Sequence, residues 1–184
     1  MWRRLAERFG ARSIARIVIR LVPLSPALAD AAREPRRFTA LTGTHIADVA
    51  EQVHEVAEQD AAHRARVGWI PEWGGFLAVD DARRQVVGVG GYVAAPDPDG
   101  AVEIAYGTFA PYEGQGYATQ IAGALIAQAA DSGAVRLVYA HTLPNPNAST
   151  RILQKHGFVQ AGTAHDDDAG LVWRWELCIR PRAD

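Results

Sequence analysis

Short β-branched and aromatic runs recur along this chain, and between them lie a few stretches whose apolar residues return at helical spacing. The run "ARIVIRLVP", residues 15–23, is strand-like and ends at Pro23, with Arg16 and Arg20 placed as on the solvent edge of a strand. "SPALADAARE" then opens a helix, with Ser25 as cap and a proline in the first turn. After "PRRFTALTG", residues 44–66 are predicted as a longer helix, Thr44 capping it and Ile46, Val49, Val53 and Val56 falling at helical spacing. "VGWIPEWGG" reads as a loop. Three strands follow, "FLAVDD", "QVVGVGGYVAA" and "VEIAYGTFA", the last two separated by the turn "PDPDG". A helix over about 116–131 carries "IAGALIAQAA". "AVRLVYAHT" is a further strand, "NASTRILQKHG" a short helix closed by Gly157, and "FVQAGTA" with "GLVWRWELCI" a terminal hairpin around the acidic turn "DDDAG". Strands before, between and after two late helices give an α/β fold with a mixed sheet. At 184 residues the chain is expected to be one domain, 1–184.

Composition narrows the setting. The single cysteine, Cys178, excludes an internal disulfide framework and a cysteine-based metal cluster, and is expected as a small buried hydrophobe near the end of the last strand. This usage fits a reducing cytoplasm. No apolar run approaches the ~20 residues of a membrane span, and no signal-peptide core is visible. Residues 1–37 carry nine arginines against three acids, leaving a surplus of eight negative charges on the rest. No aromatic interleaving or zinc spacing accompanies those arginines, so nucleic acid is not an expected partner. His45, His54 and His63 recur every nine residues, which places successive ones on opposite sides of a helix, and no metal site is expected from them. The Asp166–Asp168 run lacks the alternating spacing of a calcium loop.

Chemistry concentrates around "YEGQGYATQ", residues 112–120, where two glycines stand directly before the apolar helix. A strand leading through such a turn into a helix aims backbone N–H groups and the positive end of the helix dipole at one point, and glycine lets a bulky anion come close. No Gly-Lys-Ser/Thr follows, and the glycine spacing is not that of a dinucleotide fingerprint. An ordinary tight turn has the same local composition.

Taken with "NASTRILQKHGF" some thirty residues on, "YEGQGYA" resembles the GNAT superfamily of acetyltransferases, nearest the branch of ribosomal-protein N-terminal acetyltransferases. The resemblance runs from about Phe76 to Leu177 and includes "VEIAYG", "AHTLP" and "LVWRWE". It implies a mostly antiparallel mixed sheet with splayed central strands and flanking helices, a cofactor-binding core over 76–177, and residues 1–70 shaping the acceptor side. It implies acetyl-CoA as co-substrate and no metal. Gly114, Gln115, Gly116, Tyr117 and Ala118 would present backbone donors to the pyrophosphate, with Thr119 adding a hydroxyl. Thr108, Phe109 and Ala110 would pair with the pantetheine amides, and Asn147 and Ser149 would face the cofactor arm. Two positions depart from the family pattern: Glu113 stands where Arg or Gln is common, and Leu153 stands where many relatives place the tyrosine that reprotonates the thiolate.

Acetyl transfer to an amine requires a base for the incoming ammonium and a donor for the oxyanion. Glu103, sharing a strand face with Ala105 and Gly107, is the expected base, against a surface salt bridge as its other reading. His141 is the rival proton carrier, histidine as a residue type titrating near neutrality, or else a packed histidine. Ser149 either hands a proton to the departing thiolate or caps its helix. The oxyanion donor would be an N–H near Phe109 or Ala110, since Pro111 has none. Trp69 and Trp73 either wall the acceptor cleft, with Tyr106 as a further substrate contact, or pack as core; Trp173 and Trp175 are expected in the core. The implied function is an acetyl-CoA-dependent N-acetyltransferase acting by direct transfer on a primary amine, either a small molecule or a protein N-terminus, as a monomer or homodimer in the cytoplasm. The alternative class is a non-catalytic acyl-CoA-binding module, suggested by Leu153 and Glu113.

Overall fold

The computed structural model describes residues 17–68 and 70–179. Strand β1 (Ile19–Pro23) leads into helices α1 (Pro26–Ala31), α2 (Pro35–Thr42) and α3 (Ala50–Val67). Strands β2 (Gly75–Asp80), β3 (Gln85–Tyr92) and β4 (Ala101–Thr108) follow, then α4 (Tyr117–Asp131), β5 (Leu137–Thr142), α5 (Ala148–Lys155), β6 (Val159–Asp166) and β7 (Gly170–Cys178). The seven strands form one sheet in the order β1-β2-β3-β4-β5-β7-β6. Every neighbouring pair is antiparallel except β4 and β5. Those two run parallel only where Ala101–Glu103 face Leu137–Tyr139. Beyond Glu103 the strands part, so the C-terminal half of β4 has an unpaired edge facing β5.

Two apolar clusters cover the two faces. Ile104, Val138, Ala140, Leu153, Phe158 and Trp175 pack with Tyr117, Ile121 and Leu125 of α4. Phe38, Ile46, Val49 and Val53 pack with Leu77 and Val79 under the early helices. Helix α4 lies close on β3 because the glycines of "VGVGG" leave room: a Cβ on Gly90 would sit 2.7 Å from Ile121 Cγ2. Each large aliphatic residue buried this way contributes about 1.5–3 kcal/mol.

Local signals account for most boundaries. Ser25 Oγ accepts from Leu28 N at 3.2 Å and caps α1 as its sequence predicts. The predicted helix over 44–66 begins later: His45 pairs with Gln85 in an isolated bridge, a short 3₁₀ turn spans Ala47–Val49, and α3 starts at Ala50. Thr44 therefore caps nothing and is buried against Thr42 instead. The tertiary bridge to β3 overrides the helical pattern there. Helix α2 has Pro35 at its start and Gly43 in the left-handed region at φ 68° just past its end. Arg20 pairs with Asp81 at 2.9 Å on the surface, whereas Arg16 lies outside the described residues. Cys178 is exposed, not buried. It stands three residues past the buried Trp175 and so on the opposite face of the strand.

Candidate active site

The turn before α4 is shaped by two glycines. Gly114 (φ 71°) and Gly116 (φ 88°) both occupy the left-handed region that glycine adopts without strain, and a Cβ at either would meet nothing within 4 Å. Gly116 is the N-cap of α4, and no side chain caps that helix, nor is there an acidic residue in its first turn. The first intrahelical bond runs from Gln120 N to Gly116 O, so the N–H groups of Tyr117, Ala118 and Thr119 have no partner within the helix. Helix α5 differs. Its N-cap Asn147 accepts from Thr150 N at 3.0 Å while Thr150 Oγ1 accepts from Asn147 N at 2.9 Å, a complete capping box.

Side chains around the turn anchor it. Tyr117 is buried, and its hydroxyl donates to Asp80 Oδ2 at 2.7 Å; Arg83 joins both partners. Burial, then the Asp80 carboxylate, push the Tyr117 phenol up to about 12. Thr119 O accepts from His156 Nε2 at 2.8 Å, tying α5 to the first turn of α4. Gln115 bonds back to Pro111 O, and Glu113 is exposed, away from the protein interior. Phe109 N–H donates to Val87 O at 3.0 Å and its carbonyl accepts from Tyr112 N, so that N–H is not available for an oxyanion.

The gap between β4 and β5 holds a cavity of about 140 Å³ lined by Glu103, Tyr106, His141, Ser149 and Leu153, among others. Glu103 Oε1 lies 2.7 Å from His141 Nδ1. With the carboxylate as acceptor, Nδ1 carries the proton and Nε2 presents its lone pair; Nε2 is buried with no protein partner. Thr108 Oγ1 and the Tyr106 hydroxyl are also buried without partners. Ser149 is not the cap of α5, since Asn147 takes that position. Leu153 is buried and lines the same cavity with an apolar side chain.

Face assignment follows from the register. Gly90 pairs with Tyr106 and faces α4, whereas Gly91 pairs with Ala105 on the other face. Glu103, Ala105 and Gly107 therefore look toward the side of α3. There a cleft of about 740 Å³ opens, lined by Val56, Trp73, Phe76, Ala105 and Gly107, with Asp60, His63 and Arg64 of α3 as polar groups. Trp73 meets Tyr92 edge to face at 4.8 Å between centroids. Asp60 and Arg64 form a largely buried pair at 2.7 Å, and burial, outweighing Arg64, raises the Asp60 carboxyl above its ordinary value. His63 donates to Val93 O at 2.7 Å. Trp69 lies outside the described residues. Tyr106 lines both cavities.

The structure thus brings together Glu103, His141, Ser149 and Tyr106, and sets the glycine turn at the end of the same strand. The α3 residues of the cleft are absent from the sequence-predicted site, although Val56, Asp60 and His63 recur at helical spacing. Among the described residues, no group of three His, Cys, Asp or Glu side chains could hold a metal ion, and no helix is long and apolar enough to cross a membrane. The uncapped helix start, the glycine conformations and the orphaned hydroxyls along the open edge of β4 fit a pyrophosphate and an amide-bearing arm.

Comparisons agree with this geometry. Residues 16–159 match the family model described as an acetyltransferase (GNAT) domain. No curated protein matches the chain in sequence. Among solved structures, the ribosomal L7/L12 alpha-N-protein acetyltransferase RimL in complex with coenzyme A is 17% identical, with 88% of this chain and 94% of that one covered at a TM-score of 0.59. The ribosomal-protein-S5-alanine acetyltransferase from Vibrio fischeri is 18% identical over 90% and 94%, TM-score 0.59. The microcin C7 self-immunity acetyltransferase MccE, solved with acetyl-CoA and AMP, is 14% identical over 88% and 93%, TM-score 0.60.

Proposed function

The chain belongs to the GNAT family of acetyl-CoA-dependent N-acetyltransferases, and from that premise we propose that it moves the acetyl group directly to a primary amine in a ternary complex. One observation carries the reading: the Glu103–His141 contact at 2.7 Å sits where β4 and β5 part, and both residues line the cavity there. Acetyl-CoA supplies an activated acyl group. Backbone donors from Gly114 to Ala118 hold its pyrophosphate, and the open edge of β4 around Thr108 aligns its arm. The amine enters through the cleft of Trp73 and α3. His141 Nε2 takes the ammonium proton, while Glu103 fixes the ring in the productive tautomer and stabilises the imidazolium.

The acceptor is a small amine or a protein N-terminus. The activities of the structurally similar RimL and S5-alanine enzymes support the second, and a cleft of about 740 Å³ accommodates either. A cytoplasmic setting accords with the lone exposed thiol of Cys178. The test is thiol release from acetyl-CoA across a panel of small amines and N-terminal peptides, with products identified by mass. Acetylated product from at least one class is expected. If acetyl-CoA binds but no amine is acetylated, the chain is an acyl-CoA-binding module and the proposal falls.

A further inference from the structure

We propose that Arg64 makes the α3-side cleft selective for acceptor amines that carry a carboxylate, set on the order of 10 Å from the amine. The inference rests on the amine reaching the Glu103–His141 pair through that cleft.

The floor of the cleft gives the spacing. Gly75, Gly91 and Ala105 pair in one row across β2, β3 and β4, so two interstrand gaps of about 4.8 Å each separate Gly75 from Ala105. Asp60 stands over the Gly75 end of the row: a Cβ there would lie 2.6 Å from Asp60 Oδ1. At the other end, Glu103 shares a strand face with Ala105, two residues along β4. An acceptor whose amine meets Glu103 and His141 therefore has its far end beside Asp60 and Arg64.

The chemistry at that far end is one-sided. The acidic and basic side chains lining the cleft are those of Asp60, His63 and Arg64. Asp60 is not open to a ligand, because its Oδ2 is buried and lies 2.7 Å from Arg64 Nε. His63 is tied through Nε2 to Val93 O. Arg64 keeps spare capacity. Its Nε is engaged by Asp60, by the carboxylate and by the main-chain carbonyl at 3.3 Å, whereas Nη1 and Nη2 make no hydrogen bond to any described residue. The edge that remains carries parallel N–H donors whose spacing matches the two oxygens of a carboxylate. The side chain is only 10% exposed, so those donors gain more from a ligand oxygen than they would on an open surface. Asp60 offsets the charge of Arg64 and fixes the fork by its Nε side, so recognition works through directed donors. An ammonium arriving at the same place would meet a guanidinium and find no free carboxylate, which disfavours acceptors with a second basic group. Val56, Trp73, Phe76 and Tyr92 line the same cleft and suit an uncharged segment between amine and carboxylate. Two kinds of molecule present this chemistry: a peptide with an acidic residue near its N-terminus, since about three extended residues span 10 Å, and a small ω-amino acid.

The test compares acetylation of amidated tripeptides that differ only in a third residue of Glu, Gln or Lys, and of 8-aminooctanoate, octylamine and 1,8-diaminooctane. In at least one set the wild type is expected to favour the carboxylate member over the neutral one by roughly tenfold or more in kcat/KM, mainly through KM, and to use the basic member least. The set that shows the preference identifies the source. The double variant Asp60→Asn/Arg64→Gln removes both charges together and leaves no buried charge unpaired; its ratio between carboxylate and neutral members should fall to about one. Should that variant not fold, the wild-type ratio decides alone. Equal kcat/KM for carboxylate and neutral members in both sets would overturn the assignment while leaving acetyl transfer intact, and so would a preference that survives in the double variant. If nothing in either set is acetylated, the dissociation constants of the same compounds for the wild type holding CoA decide: tighter binding of a carboxylate member supports Arg64, and equal or absent binding overturns it. The missing turnover would then count against the proposed reaction.

Discussion

Glu103 Oε1 and His141 Nδ1 meet at 2.7 Å across two strands that are paired, in parallel, only up to Glu103 itself. The contact spans the point where the sheet opens. In the proposed reaction the carboxylate bonded to Nδ1 and the imidazole act together as one proton acceptor. Glu103→Gln, which keeps size but cannot hold the tautomer in the same way, should lower turnover ~10²–10⁴-fold. His141→Gln should cost a similar factor, and the double variant little more than either single one, since residues acting as a unit are not additive. Steady-state turnover of the three variants at saturating amine checks this. Additive losses would separate the roles and return Glu103 to acting alone.

The glycine turn predicts a separable loss of cofactor binding. Gly116 sits at φ 88°, so Gly116→Val places a β-branched residue in the left-handed region at a cost of roughly 1–2 kcal/mol, with no clash around the new Cβ. The variant should remain folded with a melting temperature a few degrees lower. Its stabilisation by acetyl-CoA, readily measured by thermal shift in the wild type through mass action, should vanish. Equal acetyl-CoA shifts in the two proteins would remove the turn from the binding site.

Much of this arrangement is visible in the chain before folding, and the exceptions have physical causes. The strands announce themselves because β-branched runs are bounded by glycine, proline and aspartate, and α5 because an Asn/Ser pair opens it and Gly157 closes it. Which of Asn147 and Ser149 caps α5 is decided by Thr150, whose hydroxyl completes the box with Asn147. Helix α2 is missed although Pro35 and Gly43 bracket it, its apolar content being too low for a pattern. The early start predicted for α3 fails because His45 is taken by β3, a contact forty residues away. The Glu103–His141 contact depends on a parallel register of three residues that no local signal encodes. The orphaned hydroxyl of Tyr106 is a property of burial, which composition does not reveal.

Trp73 tests the acceptor side. Its ring stands against Tyr92 at the wall of the cleft. Trp73→Ala should lower kcat/KM for the amine at least roughly tenfold, mainly through KM. Affinity for acetyl-CoA should be unchanged. An unaltered amine KM, with the cofactor still bound, would place the acceptor outside this cleft.

Asp80 offers a prediction about pH. Its carboxylate is only 3% exposed and accepts from the Tyr117 hydroxyl at 2.7 Å, from Arg83 N at 3.1 Å and from Arg83 Nη1 at 3.0 Å. Burial by itself would raise its pKa, but these hydrogen bonds, Tyr117 first, hold it below the ordinary value of 3.8. In the unfolded chain the carboxyl returns to that ordinary value and binds a proton at higher pH than the folded state does. The stabilisation is therefore complete well above pH 4 and is lost as pH falls through the folded pKa. Asp80→Asn leaves hydrogen-bonding capacity but no charge, and should cost about 1–3 kcal/mol at neutral pH. Its melting temperature should be lower by roughly 2–4 °C for each of those kcal/mol. Below pH 4 the two melting curves should converge, because the wild type loses what the variant never had. Tyr117 opens α4 directly after the glycine turn, so the variant should also show a smaller acetyl-CoA shift at neutral pH. Parallel melting temperatures from pH 7 to pH 3 would show that Asp80 contributes no charge-dependent stability.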